Sequence, residues 1–276
     1  FEIKTFYKKD ENIKRHILLK KLDNNNQYEW YYGGLKMRLA TWNIGEDERN
    51  ENGVLNLNSY DCITKTIKDE KIDIICLQEA IIRSKNLPSI ANYIKEHTDL
   101  KYISEFELSD SHINIGARMG IVICSKYKID SYQKFMLDNP NLIYSVDENT
   151  TYYSHDKGFI IANIKGFNII TGHCLPFHVF KKNPLDYLEI FEKADKKFIN
   201  YYNLNNKFIL CGDFNYDNVH SLFPETMINC TDLINCPTRK NKQLDHFIIS
   251  NKLNCSSNKI EDNPFDHKLG IFEIND

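Results

Sequence analysis

The chain alternates short apolar runs, each long enough for one strand, with stretches whose apolar residues recur at helical spacing. Strand-like runs lie at 38–43, 72–78, 119–124, 159–164, 167–172, 208–213, 245–250 and 270–274. Several are apolar almost throughout, as strands covered on both faces must be. Helical patterns fall at 60–71, 89–97 and 185–202. In the last, Leu188, Phe191, Ala194, Asp195, Phe198 and Tyr202 share a mostly apolar face, and Lys193, Lys196 and Lys197 form a solvated one. Lys165-Gly166, between two strand runs, signals a hairpin. Strands that alternate with helices yet include hairpins predict an α/β (α+β) sandwich, with two packed mixed β-sheets flanked by outer helices.

With 276 residues, 42% of them hydrophobic, and only 11 Gly and 7 Pro, the chain has ample material for a core. Residues 37–276 read as one domain, and residues 1–36 read differently. Ile13, Ile17 and Leu18 fall at roughly helical spacing in a Lys-rich stretch, Asp23-Asn24-Asn25-Asn26 breaks it, and Gly33-Gly34 forms a hinge. That segment is an N-terminal extension, the remnant of an upstream region, or a packed part of the same domain. The net charge of −3 gives no support to extensive electrostatic gripping of a long duplex, yet it leaves a nuclease open.

The eight cysteines form no C-x-x-C pair, and Cys76, Cys124 and Cys211 lie inside apolar runs. Buried free thiols and a reducing, cytoplasmic (intracellular) compartment fit best, with a lone disulfide among Cys230, Cys236 and Cys255 left open. No apolar stretch approaches the ~20 residues that span a bilayer. No signal peptide is visible, but the sequence starts at Phe1 rather than Met, so secretion stays open. A monomer is assumed.

The informative pattern is where polar residues fall. The run 38–43 ends in Asn43, the next in Gln78-Glu79, another in His173, and another in Asp213-Phe214-Asn215. Asp266-His267 sits on the loop entering the last run. Any one of these is ordinarily a cap, a turn residue or a satisfied histidine. Their ordered recurrence at strand ends, where layered folds build sites, points to chemistry.

These positions lie in LATWNIG (39–45), IICLQEA (74–80), TGHCLPFH (171–178), LCGDFNYD (210–217), LDHFIIS (244–250) and FDHKLGI (265–271). In that order the set resembles the signatures of the endonuclease/exonuclease/phosphatase superfamily, the deoxyribonuclease-like metal-dependent phosphoesterases, across roughly residues 37–274. The resemblance implies hydrolysis of a phosphoester with Mg²⁺ or Mn²⁺, the ions that hard oxygen ligands suit. Zn²⁺ is disfavoured because no compact His/Cys cluster appears.

By the same resemblance Glu79 is the main metal ligand, Asn43 lies near metal and phosphate, and Asp266 could complete the metal site. Asp213 orients or deprotonates the attacking water, Asn215 holds a phosphate oxygen, and His173 binds or protonates the phosphoryl group. Asp245 fixes His267, which contacts the phosphate as base or cation. Lys157, leading the strand run at 159–164, falls where relatives often carry a basic residue near the phosphate. Arg118 and His178 could reach substrate or be ordinary surface residues. His246 follows Asp245 on a strand, faces the other way and reads as structural; Trp42 reads as core.

The substrate cues conflict. Asp266-His267-Lys268-Leu269-Gly270 is nearer the tyrosyl-DNA phosphodiesterase style, whereas Asp156-Lys157-Gly158-Phe159 is similar to sphingomyelinases and inositol phosphatases. Nucleic acid is the favoured partner, phospholipid or inositol phosphate the alternative. An inactive binding protein of the same fold would predict gaps in the constellation, and none is visible.

Overall fold

The computed structural model describes residues 17–21, 28–32, 36–50, 52–148 and 150–275. Strands β1 (Ile17–Lys21) and β2 (Tyr28–Tyr32) pair antiparallel, so Ile17 and Leu18 belong to a strand, not to the helix their spacing suggests. Ile13 and Gly33-Gly34 lie outside the described residues.

Two six-stranded sheets make the body. The first contains β3 (Lys36–Asn43), β4 (Ile74–Arg83), β5 (Tyr102–Asp110), β6 (Arg118–Ser125), β15 (Asn254–Glu261) and β16 (Leu269–Asn275), ordered β15-β16-β3-β4-β6-β5. The second contains β7 (Ile129–Met136), β10 (Gly158–Ile164), β11 (Phe167–His173), β12 (Phe208–Asp213), β13 (Cys230–Asp232) and β14 (Asp245–Ser250), ordered β13-β14-β12-β11-β10-β7. A hairpin, β8 (Ile143–Ser145) and β9 (Thr151–Tyr153), stands apart. The outer faces are covered by α1 (Leu57–Asp69) and α2 (Ile90–His97) on one side. On the other lie α3 (Leu188–Asn205), α4 (Val219–Leu222) and α5 (Pro224–Met227).

Period-two alternation assigns the faces. In β3, Met37 and Leu39 enter the core between the sheets, while Ala40 and Trp42 pack under α1 and α2. In β14, Phe247 and Ile249 face inward, and Phe247 stacks on Phe272 of β16 with ring centroids 3.8 Å apart. Each such buried aromatic contributes ~1.5–3 kcal/mol. Each sheet has one parallel pair, β3/β4 and β11/β12, inside antiparallel neighbours. The C-terminal ends of β3, β11 and β12 therefore meet at one rim with the middle of β4, where Gln78 and Glu79 lie within the strand and not at its end as the sequence suggests. The N-terminal ends of the antiparallel β14 and β16 arrive there too.

The helices differ from their sequence readings at the ends. Asn56 caps α1 and moves its start ahead of Tyr60, its side chain accepting from Ser59 N–H while Ser59 closes a capping box. The pattern at 185–202 divides into a 3₁₀ turn, Pro184–Tyr187, and α3, which continues to Asn205. Asp195 on its buried face accepts hydrogen bonds from Glu225 N, Thr226 N and Thr226 Oγ1. Strands β5, β7, β15 and the short β8, β9 and β13 are not among the strands the sequence predicts. Each is largely polar or partly exposed, so its hydrophobic signal is weak. All eight cysteines are free, so Cys230, Cys236 and Cys255 form no disulfide.

Candidate active site

Alternation carries past the apolar core into a polar layer. Thr41, Gln78 and Thr171 follow Leu39, Cys76 and Ile169 on the inward faces, and Gln78 Nε2 donates to Thr171 Oγ1 (3.1 Å) across the sheets. One step further out come Asn43, His173, Asp213 and Asp245. All four are at least 97% buried at the rim where the sheets open.

Two residues reach the site through left-handed backbone. A bulge in β4 between Leu77 and Ala80 puts Glu79 at φ 55°, turning its carboxylate towards the cleft beside Gln78. Asn215, at φ 53°, donates its N–H to Asp213 Oδ1 (2.9 Å). Such conformations cost ~1–3 kcal/mol in a residue with a Cβ, and cluster at functional sites. Gly212 has φ 136°, and a Cβ there would come 2.1 Å from Gly172 O, so β11 and β12 approach closely just below His173 and Asp213.

The side chains converge. Asn43 Nδ2 donates to Asp213 Oδ2 (2.9 Å) and reaches Glu79 Oε1 (3.4 Å), while its Oδ1 accepts from Gly45 N (2.9 Å). His173 Nε2 is 3.6 Å from both Glu79 Oε1 and Asp213 Oδ2. Asn215 Nδ2 lies 3.2 Å from His173 Nε2 and donates to Cys174 O. Lys157 Nζ is 3.1 Å from His173 Nδ1. On the other side His267 Nδ1 meets Asp245 Oδ2 at 2.7 Å, and its Nε2 lies 3.8 Å from Asp213 Oδ2. The His267 carbonyl accepts from Trp42 Nε1 (3.3 Å) and Asn263 Nδ2 (2.9 Å), so Trp42 ties the core to this loop.

Burial and neighbours divide the protons. Burial would raise Glu79, but the neighbouring cations Lys157 and His267 help hold it down to about 2. Burial lifts Asp213 to about 6, with Asp245 and Glu79 opposing the help it gets from His267 and Asn43. Burial works against His267, yet Asp245 and Asp213 raise it to about 10. Burial and Lys157 push His173 well below its ordinary value, so its ring is neutral. At neutral pH the site thus holds a carboxylate of modest basicity, Asp213, beside an imidazolium, His267. Paired groups driven apart in this way are suited to acid and base roles.

Glu79, His173 and Asp213 can each turn one ligand atom towards a common point, all within 4.8 Å of one another. The buried Asp213 and the partly exposed Glu79, with the His173 imidazole 3.6 Å from both, suit a divalent cation, which relieves the repulsion of the two carboxylates. The other sequence candidates for the metal have partners of their own. Asn43 is locked by Gly45 with its amide NH₂ facing the carboxylates, and Asp266 Oδ2 is bound by Arg239 Nε at 2.6 Å. Arg118 pairs with Glu107 (2.8 Å) and Asp110 (3.0 Å), and His178 lies exposed on the 3₁₀ turn Phe177–Phe180. His246 is engaged on the other face of β14: its Nδ1 pairs with Asp232 Oδ2 (2.6 Å), its Nε2 with Tyr216 O (2.8 Å), and it stacks on Phe214.

Arg239 and Thr238 escaped the sequence reading. Thr238 Oγ1 accepts from Leu244 N and Asp245 N (both 3.0 Å), and Thr238 O accepts from Lys268 N (2.8 Å). One buried threonine thereby clamps the segments carrying Asp245 and His267. Its only signal was its place in a loop just before LDHFIIS.

Gly45 packs so tightly that a Cβ there would come 1.8 Å from Glu79 Oε2. Gly45→Ala is expected to displace this carboxylate and weaken Mg²⁺ binding, measured by calorimetry, about 10–100-fold. An unchanged affinity would argue against Glu79 as a ligand.

The sequence model of the Endonuclease/Exonuclease/phosphatase family matches residues 40–261, and the chain belongs to that family. Its members are divalent-metal-dependent hydrolases of phosphoesters, and so is the class of this protein. Solved structures share the fold at low identity. A family protein from Beutenbergia cavernae is 13% identical with a TM-score of 0.62, the alignment covering 87% of this chain and 71% of that one. The human Nocturnin catalytic domain with bound sulfate is 14% identical at TM-score 0.60, covering 87% and 93%. The 3′ phosphatase NExo from Neisseria, bound to a product DNA hairpin, is 15% identical at TM-score 0.60, covering 87% and 99%. A comparison with curated proteins finds none that matches.

Proposed function

We propose that the chain is a Mg²⁺-dependent phosphodiesterase acting on nucleic acid, with Mn²⁺ able to substitute. The observation that carries the chemistry is Asp213, raised to about 6, set 3.8 Å from a charged His267 and across from Glu79. In this reading Asp213 accepts a proton from water as the water oxygen bonds to phosphorus. His267 Nε2–H, held by Asp245, binds the phosphoryl group and donates to the oxygen whose bond to phosphorus breaks. Asn215 and Lys157 bind phosphate oxygens, and neutral His173 orients them without adding charge. Glu79, with His173 beside it, would hold the divalent ion, which supplies further neutralisation of the phosphate when bound and leaves Asp213 free to take the proton.

Nucleic acid is favoured because the turn that brings Arg239 to Asp266 also carries Lys240 and Lys242, and because one protein of the same fold holds a DNA product. A phospholipid or inositol phosphate is the second reading, supported by Lys157 of Asp156-Lys157-Gly158 standing at His173.

The test is a Mg²⁺-dependent panel of single- and double-stranded DNA, RNA, a 5′-tyrosyl oligonucleotide, sphingomyelin and inositol phosphates, each with and without chelator. Chelator-sensitive cleavage of an oligonucleotide is expected. Turnover of lipid alone would overturn the substrate, and chelator-resistant turnover would overturn the metal.

A further inference from the structure

From Arg239 a line of cations and aromatic rings leads away from the catalytic cleft. Arg239 and Lys242 form a β-bridge across the turn at Lys240-Asn241, and this hairpin is clamped to Asp245 and Lys268 by Thr238. Next to the site, five residues past His173, the Phe177–Phe180 turn carries the exposed His178, whose imidazole partial burial holds below its ordinary value, with the charges of Lys242 and Arg239 adding to this. That turn ends at Lys181, whose N–H donates to His178 O (3.2 Å). Lys181 Nζ then lies over the ring of Tyr144 in β8, 4.7 Å from its centroid. Tyr144 stands opposite Tyr152 of β9, and Tyr152 and Tyr153 are 47% and 60% exposed.

We infer that the Lys242–His178–Lys181–Tyr144–Tyr152 track, which starts next to the Arg239–Asp266 pair, binds the single-stranded nucleic-acid chain running out from the scissile phosphate. The inference rests on the nucleic-acid reading of the site. Single strands are held by cations that follow the backbone and aromatic faces on which bases stack, with site sizes of ~4–16 nucleotides per domain. This track interleaves both kinds of group, and its fixed end is the hairpin tied to the catalytic Asp245. A lipid headgroup would use the cations near the cleft and leave the outlying tyrosines without a partner. The far end is set by the turn joining β8 to β9, where the carboxylate of Glu148 would repel a phosphate chain. That charge distribution lets a protein of net charge −3 bind a polyanion on one strip of its surface.

The test uses the full chain with chelator present and a fluorescent single-stranded DNA of about twelve nucleotides, read by polarisation against salt. Lys181→Ala/Lys242→Ala is expected to raise Kd about tenfold or more. It should also flatten the slope of log Kd against log salt by about 1.4, the value for two lost phosphate contacts on a single strand. Tyr144→Ala is expected to weaken binding several-fold and Tyr144→Phe to restore it, as stacking requires. With metal, the ratio of kcat/KM on the long oligonucleotide to that on bis(4-nitrophenyl) phosphate is expected to fall in the Lys variant. A folding defect would lower both values together and leave the ratio in place. If the wild type cleaves the oligonucleotide but these variants bind it as tightly, with the same salt slope, the track is wrong and the substrate reading stands. If the wild type cleaves only the small diester or lipid and does not bind the oligonucleotide, both fall.

Discussion

Asp213→Asn is expected to lower kcat/KM by about 10²–10⁴-fold while leaving the fold intact, since general-base assistance contributes that much and Asn keeps the shape of the side chain. The same variant carries a signature in pH. Asp213 accepts a proton only when ionised, and burial sets it at about 6. The wild-type kcat/KM should therefore rise with pH through an acidic limb at about 6, or lower when a divalent cation stands beside Glu79, and the Asn variant should lack that limb. A limb that persists in the variant would assign the base to another group. A loss of less than tenfold, about 1.4 kcal/mol, would remove Asp213 from the chemistry altogether.

The second large effect falls on stability. Asp245→Ala leaves the His267 imidazolium buried without its 2.7 Å partner. Breaking a buried pair from one side costs about 3–5 kcal/mol. The pair also fixes a direction for pH. His267 is raised from 6.5 to about 10 in the folded state, so the folded state binds the extra proton between these values. Its contribution is fully present below about 6.5 and disappears as pH rises through about 10. Urea unfolding at the two ends of that window should show the wild type losing stability towards high pH and the variant losing less. Equal losses would mean that Asp245 does not hold the proton on His267.

Much of this site is legible in the chain, for a local reason. A strand alternates sides, so a polar residue ending an apolar run lies one step beyond the inward core residues. Asn43 after Leu39 and Thr41, or Asp213 after Ile209 and Cys211, can be placed on a face by counting. The divergent fate of Asp245 and His246 follows from the same parity. The weakly patterned strands β5, β7 and β15 could not be read, because polar or exposed residues dilute the alternation.

Other parts have no local signature. Glu79 reaches the cleft through a bulge and a left-handed backbone that IICLQEA does not announce. Asp266 sits beside His267 in sequence, yet Arg239 holds its carboxylate, and Arg239 belongs to a loop that reads as an unremarkable basic turn. Arg118 is turned to Glu107 and Asp110 by the pairing of β5 with β6, one of the strands the sequence reading lacked.

By itself, then, the sequence determined the apolar strands, their inward faces and the kinds of polar side chain that follow them, because these depend on residues a few positions apart. Only the tertiary structure decided which ends meet. Asn43 and Asp213, 170 residues apart, come within 2.9 Å because two sheets, each with one parallel pair, pack face to face. The proton balance arose at the same step. A carboxylate at about 6 beside an imidazolium at about 10 exists only where burial and three neighbouring charges act together.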